Sequence, residues 1–198
     1  MSIIDVLTKW ALDKLDEKVF VKKDVSKETR LEELYVFMEQ MPNVCEDIAD
    51  EIHRLAGDSD NELKELSASD ASVVVILKDM HWNGEVKEEC TKISKFRKKT
   101  YPKIAKPIVQ NIHRLKFDFD KKKNYRGMAE DILKQLWRFE VSLKLIEMRL
   151  AEYQGAIEAE DEGAYLDRKQ SLCDIENKFK QHAESFKALV DRILEFSK

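Results

Sequence analysis

The sequence feature that most constrains the fold is a heptad repeat in the C-terminal half of the chain. Between Ala129 and Ile157, apolar residues recur at alternating steps of three and four. On a helix this spacing places them along a single seam, as in coiled coils. The seam consists of Ala129, Ile132, Leu136, Phe139, Leu143, Ile146, Leu150, Tyr153 and Ile157. The pattern therefore predicts a long helix that packs lengthwise against another helix.

A second apolar stripe lies on a different side of the same predicted helix. It consists of Trp137, Val141, Leu145 and Met148. Apolar stripes on two sides are typical of a helix enclosed by neighbours, because a surface helix shows only one. We therefore expect this helix to be the central rod of a bundle. If the N-terminal helices cover the second stripe, a monomer buries all of its apolar surface. If they do not, a second chain must cover the stripe.

The chain from Tyr165 to Phe196 has its own heptad pattern, one residue out of step with the first seam. A charged stretch that ends at Gly163 separates the two. The offset and the glycine favour a turn between two antiparallel helices, although one continuous helix with a skip also fits. The second seam consists of Tyr165, Arg168, Leu172, Ile175, Phe179, His182, Phe186, Leu189, Ile193 and Phe196.

The rest of the chain predicts shorter helices. Its composition, 37% charged with only 5 Gly and 3 Pro, is typical of a helical protein with much exposed surface. Two structures fit 73–88, where β-branched residues precede Asn83-Gly84, a good hairpin turn. A helix is favoured there, because a lone hairpin needs further strands and the sequence offers none.

Prolines and glycines indicate where these helices end. Pro42 is expected to end or kink the second helix, and Gly57 to close the third. Pro102 and Pro107 predict a break or a kinked start after a helix that ends near Thr100.

Together these patterns predict an all-α protein, an elongated helical bundle with a long C-terminal antiparallel, coiled-coil-like hairpin. We expect a single helical domain over 1–198. Its parts are shorter N-terminal helices at 1–100, a basic helix and connector at 101–126, and the long helical hairpin at 127–198.

The net charge of −4 conceals a strongly basic segment. From Lys92 to Arg126 there are 13 basic and 2 acidic residues, whereas Met1 to Thr91 holds 11 basic and 22 acidic residues. Packing alone does not explain this asymmetry. The candidate anion-binding residues are Lys92, Lys95, Lys98, Lys99, Lys103, Lys106, Arg114, Lys121, Lys122, Lys123 and Arg126.

Three interpretations of the basic segment stay open. Interleaved aromatic residues could stack on unpaired bases while the cations bind phosphates, which indicates nucleic-acid binding. An anionic membrane surface is a second target. The favoured interpretation is a solvated or neutralised face, since the acidic N-terminal half could lie against it. The aromatic residues are Phe96, Tyr101, Phe117, Phe119 and Tyr125.

His182 interrupts the apolar C-terminal seam. If the hairpin turns near residue 161, His182 lies opposite Phe139 and Glu140 on the other arm. The favoured interpretation is a core histidine that is satisfied by Glu140 or by a backbone carbonyl and sets the register of the arms. The alternative is a pH-sensitive switch within the seam.

The sequence contains no motif for catalysis. A two-metal carboxylate site in a bundle needs Glu three residues before His, and only Asp50 before His53 comes near this pattern. There is no Gly-rich phosphate loop and no nucleophile elbow. We therefore expect no enzyme activity, cofactor or metal, and a carboxylate metal-site enzyme is the least favoured alternative.

The leading functional prediction is a non-enzymatic helical interaction or assembly protein, most simply a self-associating coiled coil that forms a homodimer. Nucleic-acid binding through 92–126 is the alternative. Three dispersed cysteines and the lack of about 18 to 20 consecutive apolar residues predict a soluble, cytoplasmic protein without a membrane span.

Overall fold

The computed structural model describes residues 3, 5–7, 9, 27–58, 72–79, 82–118 and 125–197. They are helical apart from short turns, and no strand occurs among them. The helices are α1 (Lys27–Met38), α2 (Met41–His53), α3 (Val73–Asp79), α4 (Trp82–Lys95), α5 (Tyr101–Asp118), α6 (Tyr125–Glu158) and α7 (Glu162–Ser197). The predicted all-α bundle with a long C-terminal hairpin is confirmed.

The two heptad seams face each other in the hairpin of α6 and α7. Phe139 of α6 makes edge-to-face ring contacts with Phe179 and Phe186 of α7, at centroid distances of 5.9 and 6.1 Å. Near the turn, the rings of Tyr153 and Tyr165 lie 5.4 Å apart. At about 1.5 Å per residue, both helices are roughly 50 Å long. The heptad spacing thus predicted both arms and the side on which each is buried.

The turn between α6 and α7 confirms the antiparallel hairpin but uses a different residue from the predicted glycine. Glu160 is the left-handed residue, with φ 54°. Its N–H bonds to the Ile157 carbonyl, and the Asp161 N–H bonds to the Ala156 carbonyl, which is a Schellman end. Asp161 then caps α7 by accepting the Ala164 N–H at 2.9 Å. Gly163 lies within the first turn of α7.

The N-terminal helices divide between the two arms of the hairpin. Helices α1 and α2 pack against α7, whereas α4 and α5 pack against α6. Buried apolar side chains from all seven helices, together with Ile3, Val6 and Leu7, join one core. The described residues of this stretch, 73–79 and 82–88, are helical, as favoured, and Asn83 and Gly84 lie in the first turn of α4.

The prolines act differently from the prediction. Helix α1 already ends at Met38, and Pro42 lies in the first turn of α2, where its missing N–H costs nothing. Nor does the chain break at Pro102: a π-helical turn, Phe96–Thr100, joins α4 to α5. The Tyr101 N–H bonds to the Phe96 carbonyl five residues earlier, which resets the helical register just before the proline. A second π-helical turn, Arg54–Asp58, extends α2 past His53.

Candidate functional site

The second apolar stripe of α6 lies on the surface. Trp137 is 64% exposed, Met148 45% and Val141 37%, while Leu145 is half-buried. The expectation that neighbours enclose α6 on both sides is wrong here. Helices α4 and α5 pack along one side of α6 and α7 packs along another, so none of the described helices covers the stripe. We call these four residues the α6 face.

A groove of about 400 Å³ runs beside the α6 face, between α6 and α7. Its apolar wall is formed by Trp137, Val141 and Leu145. Buried polar side chains of both helices form its floor, and α7 supplies a polar opposite wall. The remaining lining residues are Gln135, Arg138, Ser142, Lys178, Gln181, His182 and Ser185.

His182 holds the floor of the groove together. The Gln135 amide Nε2 donates to His182 Nδ1 at 2.9 Å, which leaves the neutral ring protonated on Nε2. That Nε2–H donates to Ser142 Oγ at 2.8 Å. All three side chains are buried, and both nitrogens of the ring are satisfied by α6. The network therefore fastens α7 to α6 in one register.

Two features lower the pKa of His182 to about 4. Burial is the larger one, because it penalises the charged imidazolium. The positive charges of Arg138 and Lys178 add to it. At neutral pH the ring is therefore uncharged.

The structure places His182 opposite Phe139, as the register predicted, with ring centroids 6.4 Å apart. It does not bring Glu140 to the ring: Gln135 and Ser142 take both nitrogens, and Glu140 is exposed. Gln135 and Ser142 are uncharged polar residues seven apart, on either side of Phe139. That heptad spacing was the signal from which the sequence could have predicted the partners.

Positively charged side chains border the groove. Lys134, Arg138, Lys144 and Lys178 are exposed, and none forms an ion pair within the described part of the chain. Near the start of α6, by contrast, Asp131 is paired with Arg192 of α7 at 2.6 Å. The middle of the hairpin thus presents cations next to an apolar stripe.

Four of the 13 basic residues of the segment are paired with carboxylates of the described chain. Glu147 of α6 binds Arg97 at 2.8 Å and lies 3.7 Å from Lys98. Burial alone raises the pKa of Glu147, but hydrogen bonds from Ser94 and Arg97 and the charges of Arg97 and Lys98 lower it below its ordinary value. Lys92 pairs with Glu88 in the same helix.

At the far end of the basic segment, Arg126 binds Glu130 at 3.3 Å. The side chain of Arg114, and residues 121–123, lie outside the described part of the chain.

Four lysines of the basic segment do stay free. Lys95, Lys99, Lys103 and Lys106 are exposed, recur at steps of four, four and three, and form no ion pair with described residues. Two of the interleaved aromatic residues do not accompany them, and the side chains of Phe117, Phe119 and Tyr125 lie outside the described part of the chain. Phe96 is buried, and buried Tyr101 donates its hydroxyl to the Leu136 carbonyl at 3.1 Å. These two rings therefore offer no stacking surface.

The described residues contain no group of three or more His, Cys, Asp or Glu side chains placed to hold a metal ion. Asp50 and His53 have the spacing that comes nearest to a metal-site pair in the sequence. In the structure, the His53 Nδ1 lies 3.3 Å from a carboxylate oxygen of Glu176 in α7. None of the described helices combines the length and apolarity that crossing a membrane requires.

Comparisons with protein-family models, curated proteins and solved structures find no match to this chain.

Proposed function

We propose that this chain is a non-enzymatic interaction or assembly protein that binds a partner helix along the α6 face. The observation that carries this proposal is the exposure of Trp137, Val141 and Met148 in a line on a helix whose other apolar side is in the core. Contiguous exposed apolar surface marks interaction sites, since leaving it in water costs about 25 cal/mol per Å². Aromatic residues and Met are also enriched at interfaces.

The geometry suits a helical partner. Trp137 and Met148 are separated by about 17 Å along α6, at about 1.5 Å per residue, which matches roughly three turns of a second helix. Such a helix lays apolar side chains into a groove at steps of three and four. The groove between α6 and α7 lies along the same line, with Val141 and Leu145 in its wall.

Self-association is the simplest form of this function, in which two copies pair their α6 faces. Association through one patch on each copy gives a two-fold dimer. The exposed stripe supports this form as much as it supports a different partner, since either one removes Trp137 from water.

The mass of the protein in solution tests the proposal. We would measure it by sedimentation velocity over a wide concentration range, and again with tagged protein in an extract of the cells that express it. Val141→Glu, an exposed position, should reduce any dimer or complex by about tenfold or more in affinity. The matched control is Ala151→Glu, which changes an exposed residue of the same helix outside the groove lining.

A dimer or complex that is lost in Val141→Glu and kept in Ala151→Glu supports the proposal. A wild-type protein that stays a monomer at every concentration and in the extract contradicts it. So does a complex that Val141→Glu leaves intact.

Nucleic-acid binding is the second candidate function, favoured by the four lysines that form no ion pair with described residues. Lys95, Lys99, Lys103 and Lys106 could follow one phosphate backbone, because all four are exposed and recur at steps of four, four and three through α4, the π-helical turn and α5. Without Phe96 and Tyr101 as stacking surfaces, such binding would depend on phosphate contacts and would hardly distinguish sequences.

Fluorescence anisotropy with labelled single- and double-stranded oligonucleotides tests this candidate. Binding should weaken steeply between about 50 and 200 mM salt, and Lys99→Glu with Lys103→Glu should weaken it for every sequence alike. Equal affinity in the wild type and this variant would exclude the lysine stripe as the binding surface.

A further inference from the structure

We propose that the occupant of the α6 face is an acidic amphipathic helix of a different protein, whose carboxylates lie over Arg138 and Lys178. This inference rests on the proposed function and names the class of partner. Apolar side chains of that helix would cover Trp137, Val141 and Met148. Its flanking Asp or Glu residues would meet the cations that border the groove.

Charge complementarity is the first argument. The groove is lined by two cations and no anion, Arg138 from α6 and Lys178 from α7. Lys134 and Lys144 extend the same charge along α6. Potentials across protein interfaces are complementary, so a face of this kind selects acidic partners and increases their association rate.

The cations beside the groove also differ from other charges of the hairpin in having no ion-pair partner among the described residues. Elsewhere on the hairpin, several charges are paired within the molecule: Asp131 binds Arg192 at 2.6 Å, and Glu152 binds Arg149 at 2.6 Å. The four cations beside the groove form no such pair within the described residues. A partner's carboxylates would therefore meet unpaired cations and would not have to displace an existing ion pair.

The same cations disfavour a second copy as the occupant. Lys144 follows Val141 by three residues and precedes Met148 by four, so it lies within the apolar stripe itself. Pairing two α6 faces would bring the cations of one copy close to those of the other. Like charges juxtaposed across an interface destabilise the complex.

The shape of the site disfavours the other kinds of occupant. A flat lipid surface cannot follow a groove between two helices whose floor, at His182, is buried. A small ligand is normally covered over most of its surface, yet Trp137 in the groove wall is itself 64% exposed. A helix fits both observations, because it fills the groove with side chains and covers the wall with its own width.

Two designed helical peptides test this inference. Both carry the same Leu and Met stripe over about three turns, flanked by Glu in one and by Lys in the other. We would titrate each labelled peptide with the protein by fluorescence anisotropy at low and moderate salt. The Glu peptide should bind at least about tenfold more tightly, with a difference that shrinks as salt rises.

Charge reversal supplies the matched variants. Arg138→Glu with Lys178→Glu should invert the preference between the two peptides. Lys87→Glu with Lys187→Glu changes the net charge equally at exposed residues outside the groove and should leave the preference unchanged. Circular dichroism would verify that both variants keep their helices.

Equal binding of both peptides would overturn the inference, and so would an equal effect of the two double variants. If the Glu peptide fails to bind while Val141→Glu abolishes a dimer, the occupant is a second copy and only the class of partner is wrong. If it fails while vesicles of anionic lipid bind the protein through Arg138 and Lys178, the occupant is a membrane surface. If no dimer or complex depends on Val141 either, the proposed function fails as well.

Discussion

His182 Nε2 of α7 lies 2.8 Å from Ser142 Oγ of α6, inside a hairpin whose two seams are mostly apolar. Gln135 occupies the second nitrogen of the ring at 2.9 Å. Because Gln135 and Ser142 are seven residues apart, a slip of either helix by one heptad would separate His182 from one of them and leave that group buried without its partner, at a cost of about 1–3 kcal/mol. The network therefore specifies the register of the hairpin as well as contributing to its stability.

Replacing the histidine should destabilise the protein. His182→Leu removes the partner of Gln135 and of Ser142 and leaves both groups buried, so we expect a loss of about 1–3 kcal/mol in the free energy of unfolding at pH 7. Urea denaturation measures it. Adding Ser142→Ala to His182→Leu should recover part of the loss, because it removes one orphaned group. A gain in stability from His182→Leu alone would show that apolar packing outweighs the hydrogen bonds.

The same histidine should make folding stability depend on pH. Its pKa is about 4 in the folded state, below the ordinary value of 6.5, so the unfolded chain binds a proton first as the pH falls. The contribution of neutral His182 to the free energy of unfolding is complete above pH 6.5 and is lost as the pH decreases to about 4. The difference amounts to about 3 kcal/mol, at 1.36 kcal/mol per unit of pKa.

Thermal or urea unfolding of the wild type and His182→Leu over this pH range isolates the effect, because other groups titrate in both proteins. The stability of the wild type relative to the variant should decrease from pH 6.5 to pH 4. Parallel curves would contradict a low pKa for His182.

Glu147 should contribute to the free energy of unfolding through its ion pair with Arg97. Its pKa lies below the ordinary value in the folded state, so its contribution is present above that ordinary value and is lost as the pH falls through the lowered pKa. Glu147→Gln should cost about 1–2 kcal/mol at pH 7 and less in acid. Glu140→Gln, a control at an exposed residue of the same helix, should change stability by less than about 0.5 kcal/mol. Equal effects at the two positions would exclude a specific contribution from the ion pair.

Gly163, at the start of α7, should tolerate replacement by alanine. Gly163 does not have a positive φ, and a Cβ atom there would lie 3.6 Å from Asp161 Oδ1, an ordinary contact. Gly163→Ala should therefore be neutral or stabilise the protein by up to about 1 kcal/mol. Gly155→Ala, in open space within α6, is the reference for a helical glycine. A loss of stability in Gly163→Ala alone would mean that Gly163, and not Glu160, supplies the left-handed turn.

The sequence predicted what depends on periodicity. Heptad spacing identified both arms, the buried rings of Phe139 and Phe179, and the position of His182 opposite Phe139. It could not predict which residue of the turn is left-handed, because Glu160 tolerates that conformation only once both arms are packed. The π-helical turn before Pro102 was also missed, since propensity favours a break there. Burial of Phe96 and Tyr101 keeps the chain helical instead.

The sequence predicted only part of the candidate site, because the rest depends on how the helices pack. Spacing identified the stripe of Trp137, Val141, Leu145 and Met148, but its exposure depends on where α4 and α5 dock on α6, which periodicity does not specify. Whether the cations of the basic segment are ion-paired also depends on tertiary contacts. No local pattern relates Arg97 to Glu147, which lies 50 residues further along the chain.

The most direct test of the α6 face as a binding surface is site-specific photocrosslinking in the cells that express the protein. A photoreactive amino acid would replace Met148 on the α6 face or, in a matched control, Lys187 on an exposed side of α7 away from the groove. We expect a discrete crosslinked product from position 148 that disappears when Val141→Glu is added, and none from position 187. The same background at both positions, or a product from 148 that Val141→Glu leaves unchanged, would contradict a partner on this face.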